Sequence, residues 1–215
     1  MAFSIVRKET VVSEIIDEPE AYFSRFARTD DPLLQELEME AEAEHIPIVG
    51  PVVGELLYVL SRAIGARSIL ELGTATGYSA IFLGRACASN AGLLTTIELD
   101  PALAARARKN LARAGLQDQA SVICGDALAH LPQIAGAFQL IFMDIEKADY
   151  ARALPECHRL LREGGLLVAD NVAFADADRF NQAIFSDSGW RPVSLFAFLP
   201  KHSPERDALC LALRC

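Results

Sequence analysis

The sequence predicts an α/β fold: a doubly wound, mostly parallel sheet with one antiparallel strand contributed by a C-terminal hairpin. Three observations lead there. From Pro51 onward, short β-rich runs alternate regularly with amphipathic helical stretches, which is the pattern of right-handed strand-helix-strand crossovers. The runs are nearly all apolar, as expected for strands buried on both faces of a parallel sheet. The last two runs are separated only by a short polar turn containing Pro204, close enough to pair as a hairpin. With 215 residues, 52% hydrophobic and 23% charged, the chain has the size of one domain with a sizeable core and a small appendage. We divide it into an acidic helical segment, residues 1–50, and an α/β domain, residues 51–215.

Each element has its own signal. Val11, Val12, Ile15 and Ile16, then Tyr22, Phe23 and Phe26, recur at roughly helical spacing, and a second helical pattern runs from Asp31 through Leu33, Leu34, Leu37 and Met39. Asp31-Pro32 supplies a helix N-cap followed by Pro at the first helical position. A helix is expected from Val52 to Ile64. Strands follow at Ser68–Leu72, Leu93–Leu99, Ala120–Cys124, Leu140–Asp144 and Leu166–Ala169, with helices at Tyr78–Ala88, Pro101–Ala114, Ala127–Ile134 and Asp149–Glu163 between them. A helix at Arg179–Phe185 and strands at Val193–Leu199 and Ala208–Leu213 complete the chain.

Net charge is −9, from 20 basic and 29 acidic side chains, and residues 1–50 carry 4 basic against 12 acidic ones. The acidity therefore belongs to the N-terminal segment, and the remainder is near neutral. The simplest expectation is that the run from Glu36 to Glu44 is a solvated helix face, as is the basic face of Arg106, Arg108, Lys109 and Arg113. Five cysteines in no ligand-like spacing suggest reduced thiols and a cytoplasmic setting. No apolar run approaches a membrane span, so neither a membrane nor an export signal is expected. The histidines His45, His130, His158 and His202 form no metal-spaced pair and are expected at the surface or behind a site. Trp190 is expected to be a packing residue.

Four motifs carry chemistry. Glu71-Leu72-Gly73-Thr74-Ala75-Thr76-Gly77-Tyr78-Ser79 lies where the first core strand turns into its helix. Glycine there lets backbone approach a ligand at the carboxyl end of the sheet. The G-x-x-x-G spacing is neither the G-x-G-x-x-G of dinucleotide sites nor a P-loop, which disfavours a nicotinamide dehydrogenase. Glu71 suits a cationic ligand better than a pyrophosphate. Thr96-Ile97-Glu98-Leu99-Asp100 ends the second strand in a carboxylate able to take both hydroxyls of a ribose; Asp100 before Pro101 also reads as a helix cap. In Phe142-Met143-Asp144-Ile145-Glu146-Lys147-Ala148-Asp149-Tyr150 and Gly164-Gly165-Leu166-Leu167-Val168-Ala169-Asp170-Asn171, two apolar strands each end in an acid. If these two strands are neighbours, about 4.8 Å apart, Asp144 and Asp170 can share one ion, with Asn171 adding a neutral oxygen. Such an oxygen set suits a hard cation such as Mg²⁺.

These motifs resemble the cation-dependent S-adenosylmethionine O-methyltransferases, the family of catechol and caffeoyl-CoA O-methyltransferases and their bacterial relatives, over residues 45–215. The resemblance implies a methyltransferase-type Rossmann sheet and a cofactor site using Val49, Gly50, Glu71, Gly73, Ser79, Glu98 on the ribose, Asp126 and Ala127 near the adenine, and Asp144. It implies Mg²⁺, Mn²⁺ or Ca²⁺ on Asp144, Asp170 and Asn171, with Lys147 as catalytic base. It also implies a homodimer and a small hydroxylated, catechol-like acceptor. A phenol with a pKa of about 10 is a poor nucleophile at neutral pH; a cation on two vicinal oxygens favours the oxyanion, and a lysine beside that cation can take the proton.

The chain departs from the family after Asn171. Only Ala173–Asp178 precede the next helix, where the family often carries a longer glycine-containing segment, so the acceptor pocket is expected to be more open or to be built from the N-terminal helices. Two alternatives remain. The His45-Ile46-Pro47-Ile48 entry is similar to that of relatives that methylate 5-hydroxyuridine in tRNA, and a non-catalytic adenosyl-binding scaffold would keep the fold without the reaction.

Overall fold

The computed structural model describes residues 15–27 and 30–215; the helical pattern expected at Val11 and Val12 lies outside them. In chain order the helices are α1 (Pro19–Ser24), α2 (Pro32–Glu44), α3 (Gly50–Ala63), α4 (Tyr78–Ala88), α5 (Pro101–Arg113), α6 (Ala127–His130), α7 (Tyr150–Leu160) and α8 (Asp178–Ser186). The strands are β1 (Ser68–Leu72), β2 (Leu93–Glu98), β3 (Ala120–Cys124), β4 (Phe138–Met143), β5 (Leu161–Ala169), β6 (Trp190–Phe198) and β7 (Arg206–Arg214). They form one sheet in the order β3-β2-β1-β4-β5-β7-β6. Strands β1 to β5 pair in parallel. Strand β7 is antiparallel to both β5 and β6, so the hairpin inserts one reversed strand, as the sequence predicts. Among the described residues no helix is long and apolar enough to cross a membrane.

The boundaries differ where local pattern is a poor guide. Strand β5 begins at Leu161, five residues before the apolar run, because Leu161 pairs with Phe138 across an irregularity in the β4–β5 register. The helix expected over Ala127–Ile134 is four residues of α-helix followed by a 3₁₀ turn at Leu131–Gln133 that contains Pro132. The next begins as a 3₁₀ turn at Lys147–Asp149, and the α-helix proper starts at Tyr150.

Apolar side chains cover both faces of the sheet. Leu72, Ile141, Met143 and Leu167 pack with Tyr150, Phe180 and Trp190 on one side. Ile69, Leu140, Phe142 and Val168 pack with Val53, Leu57, Ile81 and the α2 residues Leu34 and Leu37 on the other. Trp190 is buried with its ring edge-on to His158 at 5.2 Å, a packing role as expected.

Helix α2 corrects the expectation of two solvated charged faces. Asp31 caps it, accepting from the backbone N–H groups of Leu33 and Leu34. Its acids then meet the basic face of α5: Arg106 pairs with Glu40 and Glu44, each at 2.6 Å, and Arg113 with Glu36 at 2.6 Å. The Arg113 and Arg106 hydrogen bonds hold the Glu36 and Glu44 carboxyls below the usual range. Buried Glu38 accepts from Tyr78 Oη at 2.7 Å and from Lys201 Nζ at 2.6 Å, joining α2 to α4 and to the β6–β7 turn. Helix α2 is thus strapped to the sheet by complementary charge over an apolar seam.

Candidate active site

The carboxyl ends of β1, β2 and β4 open onto a cavity of about 560 Å³. Its floor is the loop after β1. Gly73 adopts φ 91°, and a Cβ there would overlap the Asp144 carbonyl; only glycine lets these two strand ends lie this close. Glu98, buried at the end of β2, turns its carboxylate into this loop: Oε2 accepts from the N–H groups of Thr74 (3.1 Å) and Ala75 (2.7 Å), and Oε1 from Asp100 N–H (2.9 Å). Oε2 is filled by its two donors while Oε1 has room for one more, so the same carboxylate can organise the loop and still take a ribose hydroxyl through Oε1. Asp126 accepts from Leu128 N–H at 2.9 Å and caps α6.

Of the residues expected at the cofactor, Val49, Gly73, Ser79, Glu98, Asp126, Ala127 and Asp144 line this cavity, together with Lys147. Two others stand elsewhere. Gly50, at φ 68°, backs against the β6–β7 turn, where a Cβ would come within 2.8–2.9 Å of the Lys201 and His202 backbone. Glu71 is fully buried behind the cavity wall; Oε2 accepts from the Thr96 hydroxyl at 2.6 Å and Oε1 meets no donor among the described residues. Burial pushes its carboxyl up to about 7, against the opposing pull of the Thr96 hydrogen bond.

Asp144 and Asp170 follow directly on Met143 and Ala169, which are paired in register across β4 and β5. Lys147 Nζ donates to Asp144 Oδ1 at 3.1 Å. Burial, then the neighbouring Asp170 charge, pushes the Asp144 carboxyl up to about 6. Behind them Tyr150, fully buried, directs its hydroxyl to the carbonyls of Met143 (3.2 Å) and Asp170 (3.0 Å), tying the two strand ends together. Asn171 takes the left-handed conformation, φ 51°, and commits its amide nitrogen to Asp207 Oδ2 (2.5 Å) and the Ser203 carbonyl (3.3 Å). Its amide oxygen is left as the free acceptor.

This donor set fits a hard divalent ion. Two acidic side chains crowd one another at adjacent strand ends, and the amide beside them has its nitrogen turned away. No group of three or more His, Cys, Asp or Glu side chains is gathered for a metal among the described residues, so the candidate set is two carboxylates and one amide, an oxygen set of the kind Mg²⁺ and Ca²⁺ accept.

Three contributors were not legible as site residues. His202 is buried, with Nε2 at 2.9 and 3.0 Å from the two oxygens of Asp170; the expectation of a surface or backing histidine holds only in the second sense. Asp207 is fully buried and holds Asn171. Tyr150 is the third. The signal for the first two was present in the topology: a strand antiparallel to β5 must start where β5 ends, so the hairpin turn falls beside Asp170.

A second cavity of about 1000 Å³ lies between α2, the His45–Ile48 segment and the Lys201–Glu205 turn, and shares Ile46, Pro47 and Ile48 with the first. His202 and Ser203 are in its wall. The N-terminal helix therefore does build a pocket next to the candidate cation residues, as the short segment after Asn171 suggests.

The strand order, the glycine loop under an acid-ended second strand, and the cavity at the carboxyl ends define a methyltransferase-type α/β protein. The chain belongs to the O-methyltransferase family, whose pattern matches residues 25–182. It is 45% identical over 148 residues to a catechol O-methyltransferase of Niastella koreensis and 40% identical over 146 residues to one of Mycobacterium tuberculosis; each alignment spans 66% of this chain and 66% of the relative. Among solved structures, an O-methyltransferase from Bacillus cereus in complex with SAH superposes with a TM-score of 0.82 at 28% identity, covering 92% of this chain and 97% of that one. TomG from Streptomyces achromogenes, involved in tomaymycin synthesis and in complex with SAM, gives a TM-score of 0.81 at 29% identity, over 91% of this chain and 95% of that one.

Proposed function

We propose that the protein is an S-adenosylmethionine-dependent, divalent-cation-dependent O-methyltransferase acting on a hydroxyl of a small catechol-like acceptor. The observation that carries this reading is the convergence of Asp144, Lys147, Asp170 and Asn171 at two neighbouring strand ends, where Asp144 and Lys147 line the first cavity and His202, in contact with the buried Asp170, lines the second. The first cavity takes the cofactor, and the second, sharing the Ile46–Ile48 wall, takes the acceptor. Helix α2 and the segment His45–Ile48 serve as the cover.

Asp144, Asp170 and Asn171 would hold the cation, which when bound supplies a Lewis acid that lowers the cost of forming the acceptor oxyanion. Lys147 Nζ, kept in place by Asp144, would take the hydroxyl proton as the neutral amine. The Gly73 loop and Glu98 fix the methyl donor, and the second cavity fixes the acceptor. The oxygen-to-methyl bond forms as the sulfonium carbon-sulfur bond breaks, with the proton left on Lys147. Much of the rate then comes from holding two reactants in line. We propose a homodimer with it, for which the exposed Val193, Leu195 and Phe196 of β6 offer an uncovered apolar edge, and a cytoplasmic setting fits five free cysteines.

The test is a labelled-methyl transfer assay with and without EDTA, across catechols, acyl-CoA phenols and undermodified tRNA. We expect EDTA-sensitive methylation of catechols, with Lys147→Met lowering turnover by about 10²–10⁴-fold while SAH affinity is retained. Near wild-type turnover in Lys147→Met removes that lysine from the reaction. Transfer to tRNA alone replaces the acceptor class, and cofactor binding with no transfer to any acceptor supports a scaffold instead.

A further inference from the structure

We propose that His202 is a specificity residue for the cation: it fills the notch between the two oxygens of Asp170, leaving that carboxylate one oxygen to offer, and so selects Mg²⁺ or Mn²⁺ against Ca²⁺. The inference rests on the cation-dependent reading above and concerns which ion that site takes.

The geometry of the ring is the starting point. Nδ1 lies 2.6 Å from the Pro204 carbonyl oxygen, which can only accept, so Nδ1 carries a hydrogen and the ring is pinned from that side. Nε2 lies almost equidistant from the two acceptor oxygens of Asp170, Oδ1 and Oδ2, at 2.9 and 3.0 Å, and meets them as an N–H donor, so the ring carries a hydrogen on both nitrogens. That is the mouth of the carboxylate, the position a bidentate ligand partner needs. The two side chains are 1% and 2% exposed. Asp170 Oδ1 also accepts from Asn171 N–H at 2.9 Å. What remains for a cation is chiefly the outer side of Oδ2.

The ring has little freedom to withdraw. Its backbone is packed against Gly50, where even one added carbon would come within 2.8–2.9 Å of Lys201 and His202 atoms. The same turn is held by Asn171 through the Ser203 carbonyl and by Lys201 N–H on Glu205. Moving His202 out of the notch means moving the turn.

Ca²⁺ takes six to eight oxygens at roughly 2.3–2.6 Å and commonly uses carboxylates in bidentate fashion, whereas Mg²⁺ holds an octahedron at about 2.0–2.1 Å with monodentate carboxylates and retained waters. A site with two carboxylates and one amide, in which one carboxylate has lost its bidentate mode, meets the second demand and falls short of the first.

The experiment is calorimetric titration of the chelator-stripped, full-length protein with MgCl₂, MnCl₂ and CaCl₂ separately, at one pH, with and without SAH. For the wild type we expect Mg²⁺ and Mn²⁺ to bind at least about tenfold more tightly than Ca²⁺. In His202→Ala the notch opens, and the Ca²⁺ to Mg²⁺ affinity ratio rises about tenfold or more. His202→Gln, which keeps a donor but cannot span both oxygens symmetrically, gives an intermediate ratio and serves if the alanine variant does not fold. Wild-type protein that binds Ca²⁺ as tightly as Mg²⁺ overturns the inference without any variant. So does a ratio unchanged in a folded variant, and both of these outcomes leave cation dependence standing. Failure of all three ions to bind overturns the inference together with the cation-dependent reading.

Discussion

Replacing Glu71 with glutamine isolates the cost of a carboxyl sealed behind the cofactor cavity. Burial raises that group from an ordinary 4.5 to about 7. Below pH 4.5 the folded and unfolded chains both hold the proton, and Glu71 contributes no pH dependence. Between 4.5 and about 7 the unfolded chain releases it while the folded chain retains it, so stability falls as pH rises. Above about 7 both are ionised and the penalty is constant. At about 1.4 kcal/mol per pH unit, this window amounts to about 3 kcal/mol. Glutamine does not titrate. The stability of Glu71→Gln relative to wild type is therefore expected to improve by about 3 kcal/mol between pH 4.5 and pH 7.5, or about 6–12 °C in Tm for a domain of this size. The new amide has its own hydrogen-bonding cost at Oε1, which meets no donor in the wild type, but that offset is the same at every pH. Chemical denaturation of the two proteins at half-unit pH steps, without cofactor, reads the difference, which includes the part of the shift that comes from the Asp144 and Glu98 charges facing Glu71. A stability difference that stays flat across this range would mean that Glu71 is ionised in the folded state throughout, and the reasoning from its burial would be wrong.

Two further outcomes follow from the contacts described. Tyr150→Phe leaves the Asp170 carbonyl without its hydroxyl partner in a fully buried place while creating no cavity; the expected loss is about 1–3 kcal/mol, seen as a Tm lowered by several degrees, and a Tm within about 1 °C of wild type contradicts that role. Arg106→Ala removes two of the three α2–α5 ion pairs; amide hydrogen exchange in α2 is expected to speed up, and high salt should reproduce the change in wild type because exposed pairs are screened. Unchanged α2 protection in both conditions would show that the apolar seam of Leu34, Leu37 and Ala41 holds the helix alone.

The sheet and its ligand-facing rim were legible because their signals are local. Apolar runs such as Leu140–Met143 leave no alternative to burial on both faces, and the Gly73 loop and the acids at Glu98, Asp144 and Asp170 sit one step beyond those runs, where every parallel strand of this kind opens to a cavity. Glu71 was readable as a special residue, but only the fold shows it one layer behind the wall. His202 and Asp207 were not readable in this way, because their position depends on β7 entering the sheet between β5 and β6 and not at its edge. The charged faces of α2 and α5 misled for a related reason. A run of acids and a run of bases each look solvated alone, and only the docking angle of two helices decides whether Glu36 faces water or Arg113.

The insertion of β7 also orders the events by which the site comes into being. As the chain emerges from its amino end, strands β1 to β5 can pair and bury Leu72, Ile141 and Leu167 before the hairpin exists. At that moment Asp170 and Asn171 stand at the end of an edge strand, exposed to water and without His202 or Asp207. The partners arrive together on the final hairpin, which converts β5 from an edge strand into an interior one and closes the turn over its end. The hairpin thus supplies two things at once: Leu199, Ala208, Leu209, Cys210 and Ala212 complete the apolar layers on both faces of the sheet, and His202 and Asp207 complete the surroundings of Asp170 and Asn171, so core and site are finished by the same last strand.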